Sequence, residues 1–208
     1  MTDIVPPRRC AGGRPKLSLV SGILSYRQLH FMEHKGRRLV LVIMGVVGVG
    51  KTTVATLLAQ KLGWQFADAD DFHSPENVEK IRHGIPLTDR DRAPWLAALR
   101  GAVENWNASG TSAVLACSAL KESYRKELSA GDVGFIYLQG GYDLIRERLH
   151  TRHGHFATAS ILKSQLEDLE EPEHAIVVNV DKSPSAIVAE IIGELKARGL
   201  AYPDAAQP

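Results

Sequence analysis

The chain of 208 residues has only two cysteines, Cys10 and Cys117, far apart and in no CxxC pair. That argues against a disulfide framework and against a zinc cluster, and makes a reducing compartment, the cytoplasm, the natural setting. No apolar run approaches the ~20 residues of a membrane-spanning helix, so no membrane partner is expected. Net charge is nearly absent, at +1, but it is unevenly placed. Residues 1–38 carry eight Lys/Arg against Asp3 and Glu33, a net +6, which leaves −5 for the remainder. A mildly acidic body lacks the basic face that nucleic acid demands, so no nucleic-acid partner is expected either. What is present is a globular composition, 44% hydrophobic and 24% charged, in a chain long enough to bury its own core.

Residues 1–38 hold Pro6-Pro7, Gly12-Gly13 and no clear helical or strand period. They are read as an extension outside the fold. A basic disordered tail and an over-long reading frame, with Met32 as the true start, are the favoured explanations. An Arg-rich, acid-poor organelle transit segment is the third. Residues 39–200 form the predicted domain and 201–208 a flexible tail. Leu39–Met44 is a short, wholly apolar run, the mark of a parallel strand buried on both faces. Similar runs recur at Gln65–Ala69, Ala113–Cys117, Phe135–Leu138 and Ile176–Val180. Helical stretches separate them, near 74–83, 90–108, 119–129, 142–152, 158–168 and 184–198. A further helix follows the first strand and ends at Gly63, a C-cap glycine. Strands alternating with helices predict one α/β domain, a parallel sheet with helices on both faces and ligands at the carboxyl ends of the strands.

Gly45-Val46-Val47-Gly48-Val49-Gly50-Lys51-Thr52 fits GxxxxGK[ST] without departure, between a buried strand and a helix. Its glycines let the backbone turn tightly and aim N–H groups at phosphate oxygens. The helix that starts at Lys51-Thr52-Thr53 adds its positive end. Lys51 is expected to bridge the β- and γ-phosphates, and the Thr52 hydroxyl to bind Mg²⁺. A chance glycine turn with a solvated lysine is the bland alternative, and the ordered context disfavours it. The loop predicts a nucleoside triphosphate, with no word on the second substrate.

The second apolar run leads into Asp68-Ala69-Asp70-Asp71-Phe72-His73. On an extended segment Asp68 and Asp70 point to the same side. If that strand neighbours the first, both face the γ-phosphate. Asp68 is assigned to Mg²⁺ through water, and Asp70 to the acceptor hydroxyl as base or orienting group. The competing reading is a solvated turn capping the helix that begins near Ser74-Pro75, and Asp71 fits it.

The longer strings resemble those of the gluconate kinase family, the small P-loop type related in architecture to shikimate and adenylate kinases. They include Asp68–Asn77, Gly84–Leu96, Ala116–Lys121 with Tyr124-Arg125, Arg152–Phe156, Ser164-Gln165 and Leu169-Glu170 with Pro172. The resemblance runs from about Val40 to about Lys196. It implies a P-loop three-layer sandwich with a parallel five-stranded sheet and a small helical lid. It also implies ATP-dependent phosphorylation of D-gluconate on its terminal hydroxyl, and a homodimer. Two departures stand out. Val47 and Val49 replace serines common in the family's loop, and Leu166 replaces a phenylalanine.

A polyhydroxy carboxylate needs a cationic fork and several polar partners. Arg92, Lys121 and Arg125 are the candidates, with His73 reading a hydroxyl; a surface ion pair is the alternative for Arg92. Arg148 and Arg152 lie four apart on a helix and share a face, so they are expected to form the lid, Arg148 on the nucleotide and Arg152 in catalysis. Cys117 is read as a buried small side chain, and Trp64, Trp95 and Trp106 as core. His153 and His155 lack a third ligand at useful spacing for a metal. Three rivals remain: a kinase for another small acceptor, a slow nucleotide switch, and a nucleic-acid module built on the basic head.

Overall fold

The computed structural model describes residues 39–83, 85–151 and 158–200. The expected extension, the tail, and the 152–156 segment with Arg152 lie outside the described residues.

Five strands form one wholly parallel sheet: β1 (Val40–Met44), β2 (Gln65–Asp68), β3 (Ala113–Ala116), β4 (Val133–Gln139) and β5 (Ile176–Asn179), in spatial order β2-β3-β1-β4-β5. Seven α-helices accompany them among the described residues: α1 (Lys51–Leu62), α2 (Pro75–Arg82), α3 (Asp89–Ser109), α4 (Glu122–Leu128), α5 (Tyr142–Thr151), α6 (Thr158–Asp168) and α7 (Pro184–Ala197). Every strand run foreseen in the sequence is a strand, and Gly63 ends α1 in a left-handed C-cap at φ +66°.

The pleat of β1 divides the core. Leu41 and Ile43 face a cluster with Val54, Ala55 and Leu58 of α1 and Ile187, Val188 and Ile191 of α7. Val40, Val42 and Met44 face Trp95, Leu99, Val103 and Trp106 of α3 and Leu128 of α4. All five residues of β1 are buried, which is why the run carries no polar alternation. The result is the expected three-layer sandwich, with the carboxyl ends of the strands along one edge.

Two local expectations change. β2 pairs with β3, not with β1, so the second strand does not lie beside the first. The helix expected over 119–129 begins only at Glu122. Before it, Ala119 sits at φ +44°, a conformation that an L-residue rarely adopts.

Candidate active site

The phosphate loop leaves β1 at Gly45 and enters α1 at Lys51. Gly45 has φ +139°, and a Cβ there would meet the Leu138 carbonyl at 2.7 Å. Gly48, at φ +79°, lies against α5, where a Cβ would come within 2.8 Å of Leu149 and 3.2 Å of Ile145. Gly50 precedes α1 with no side-chain cap from the described residues on the helix N-terminus, an end that suits an anion. The two valines have a packing role. Val49 is buried in the core and Val47 packs partly against it. Leu166 packs against the same cluster, as expected of a core substitution.

Thr52 Oγ1 donates to Asp68 Oδ2 at 2.9 Å. The P-loop helix thereby meets the end of a strand two places away in the sheet. Asp68 also caps the short 3-10 turn Ala69–Phe72, accepting from the Asp70 amide at 3.1 Å. Asp70 therefore belongs to a helical turn, not to the extended strand shared with Asp68 that the spacing suggested. Burial, and then the negative charge of Asp68, push the Asp70 pKa above its ordinary value, while Lys51 pulls the other way.

His73 stacks on Trp95, with centroids 4.8 Å apart and planes 11° from parallel. Trp95 in turn donates Nε1 to the Ala69 carbonyl at 2.7 Å. The His73 Nδ1 is enclosed without a hydrogen-bond partner among the described residues, and burial lowers the imidazole pKa, which favours the neutral ring. Cys117 is buried and its thiol is pushed up to about 12 by desolvation, consistent with a small core side chain.

Arg92 and Lys121 come together from distant segments. Tyr124 Oη donates to Asp89 Oδ1 at 2.6 Å, and Arg92 Nη1 reaches the Tyr124 oxygen at 3.1 Å and Asp89 at 3.2 Å. Lys121 Nζ lies 3.4 Å from Asp89 and 3.8 Å from Asp168. Both cations also sit by the Tyr124 ring, 5.9 and 5.6 Å from its centroid. Arg125, grouped with them in the sequence reading, is turned inward. It is buried, and Nη1 donates to the carbonyls of Ala119 at 3.0 Å and Leu120 at 2.7 Å. Its geometry is that of a residue that holds the 119–121 turn.

Beside the P-loop lies a cavity of about 340 Å³ lined by Gly50, Thr53, Arg148, Lys182, Pro184 and Ile187 among others. Arg148 Nη2 donates to the Val180 carbonyl at 2.6 Å, fixing the guanidinium at the cavity wall. The sequence reading supplied Arg148 and Thr53 but missed Lys182, Pro184 and Ile187. The Pro-x-x-apolar start of α7 carries no phosphate or carboxylate signature to single it out; only its place after the last strand does.

Comparison with known proteins agrees with this geometry. A family model described as shikimate kinase matches residues 47–196. A gluconokinase of Gluconobacter oxydans is 47% identical over 162 residues, covering 76% of this chain and 91% of that protein. The thermoresistant gluconokinase of Escherichia coli is 40% identical over 163 residues, covering 76% and 93%. The crystal structure of a gluconokinase from Sinorhizobium meliloti superposes with a TM-score of 0.69 at 40% identity, covering 77% of this chain and 93% of that one. Identity at this level across nearly the whole length of each relative carries more than the fold: the chain belongs to the gluconokinase family.

Proposed function

We propose that this chain transfers the γ-phosphoryl group of ATP to the terminal hydroxyl of D-gluconate, giving 6-phospho-D-gluconate, by direct in-line displacement without a phosphoenzyme. The observation that supports the reading is the Thr52–Asp68 contact, which joins the P-loop helix to the start of the Asp68–His73 segment in a member of the gluconokinase family.

The loop amides from Gly48 to Thr53 and the Lys51 ammonium hold the phosphates. Adenosine occupies the cavity between Arg148 and the Lys182–Pro184 turn. Thr52 and Asp68 present hard oxygens 2.9 Å apart. That donor set suits Mg²⁺, which takes one or two protein oxygens and completes its shell with phosphate and water. Thr52 would hold the ion directly and Asp68 through water, and the ion would supply neutralising charge for the phosphates.

Asp70 accepts the proton of the attacking hydroxyl. Burial and the neighbouring Asp68 charge raise its pKa, which makes it a stronger base than an ordinary carboxylate. Arg92 and Lys121 take the gluconate carboxylate, and the neutral His73 offers a ring nitrogen to a hydroxyl. Arg125 serves by fixing the 119–121 turn that carries Lys121. Arg152 covers the transferring charge in the same proposal. The working unit is residues 39–200, placed in the cytoplasm and paired as a homodimer.

The test is magnesium-dependent ADP formation from ATP with and without D-gluconate, beside shikimate, nucleoside monophosphates and other sugar acids. Stimulation by gluconate is the expected result. Stimulation by a different acceptor would discard gluconate and keep the mechanism; none at all, with ATP bound, would favour a nucleotide switch.

A further inference from the structure

One polar contact to the P-loop comes from an element that the mechanism above does not use. The amide of Val47 donates to Gln165 Oε1 at 2.6 Å, bridging 118 positions of sequence. The carbonyl of the same peptide unit, that of Val46, accepts from Lys51 Nζ at 3.1 Å. In a planar trans peptide the N–H and C=O point in opposite directions. Gln165 and Lys51 therefore hold the two ends of one plane. A rotation that released Gln165 would swing the Val46 carbonyl away from the ammonium.

Within the loop that plane is held by one long bond, from the Val49 amide to the Val46 carbonyl at 3.5 Å, and glycines in positive-φ conformations stand on both sides of it, Gly45 at +139° and Gly48 at +79°. Valine at 47 adds no polar side-chain group, so the amide is that residue's one donor. Gln165, by contrast, is presented by a firmly held helix. On α6, Leu162 is fully buried and Leu166 packs on the same core cluster. Just past the helix, the Glu170 amide donates to the Leu120 carbonyl at 3.1 Å and Glu170 Oε2 accepts from the Glu122 amide at 2.5 Å.

We infer that Gln165 is a positioning residue for Lys51: it fixes the Val46–Val47 peptide so that the carbonyl aims the ammonium at the β- and γ-phosphates. The inference rests on the ATP reading of the loop. It makes α6 part of the nucleotide site without contact to the nucleotide.

The test measures ATP and AMP affinity for the full chain, for Gln165→Met, for Lys51→Ala and for the double variant. Gln165→Asn, one methylene too short to reach, is the second probe should the methionine variant not fold. In the wild-type background the loss of this hydrogen bond weakens ATP binding about fivefold. In the Lys51→Ala background the same change has less than about a twofold effect, the non-additivity of two groups acting as one. AMP, which has no β- or γ-phosphate, binds as before. An equal loss in both backgrounds, or an equal loss for AMP, overturns the inference. Failure of the unaltered chain to bind ATP sinks the nucleotide reading instead.

Discussion

The Arg125 guanidinium donates to the carbonyl of Ala119, the residue held at φ +44° in the turn between β3 and α4. An alanine in the left-handed region costs about 1 kcal/mol, so something must hold it there. Arg125 does so from within the protein, with a second bond to Leu120. Arg125→Met takes this donor from the Ala119 carbonyl, while the Leu120 carbonyl keeps the Glu170 amide, and the expected loss of stability is about 1–3 kcal/mol. Urea unfolding measures it. Adding Ala119→Gly, which relaxes the backbone, should restore part of the loss. A change below about 1 kcal/mol would mean that the guanidinium does not hold the turn.

That arginine also marks where the sequence stops being legible. The strands could be read because buried parallel strands are continuously apolar, and the P-loop because its glycines and lysine sit at fixed offsets. The inward turn of Arg125 leaves no such trace. A cation in the first helix after a strand end, as Arg125 is in α4, can face substrate or carbonyls, and spacing does not decide between them. Asp70 shows the reverse case. Its nearness to Asp68 was legible, but the route was not, since the 3-10 turn rather than an extended strand brings the two together. Gln165 was visible only as one residue of a family string. A contact across 118 positions depends on how α6 docks, which is a property of the packed core.

Asp70 links chemistry to stability. Its folded pKa is raised above 3.8, so the ionised carboxylate is disfavoured in the native state relative to the unfolded chain. That cost is present above the folded pKa. It is relieved as pH falls through the folded pKa to the unfolded value. Asp70→Asn should therefore melt higher than wild type at pH 7, with the difference shrinking as the solution is acidified below the ordinary carboxylate range. Turnover should fall about 10²–10⁴-fold with ATP affinity nearly unchanged. In the wild type, kcat/KM should decline on the acid side at a pH above that of an ordinary aspartate. Near-normal turnover in Asp70→Asn would remove its role as base.

Asp68 is assigned to the ion through water, and Thr52 directly. Asp68→Asn retains an oxygen for the Thr52 hydroxyl but removes the charge that favours a divalent cation. The Mg²⁺ concentration for half-maximal rate should rise about tenfold, and saturating Mg²⁺ should recover much of the rate. Thr52→Val removes a direct ligand, so extra Mg²⁺ should recover little. Equal rescue of both variants would contradict the division between direct and water-mediated contact.

Arg148 tests the adenosine side of the site. Its Nη2 is bonded to the Val180 carbonyl at 2.6 Å, and its side chain shares the cavity wall with Lys182 and Pro184. A guanidinium fixed in this way is worth roughly one charge-assisted hydrogen bond to a ligand, so Arg148→Ala should raise the KM for ATP about tenfold. The KM for gluconate should stay within about twofold, because Arg92 and Lys121 are placed by α3 and the turn before α4 instead. Lysine at 148 keeps the charge but not the planar fork, and should recover only part of the loss. Steady-state kinetics with each substrate varied in turn separates the two sites. A parallel rise in both KM values would show that Arg148 shapes the whole cleft, and the adenosine pocket would have to be sought elsewhere.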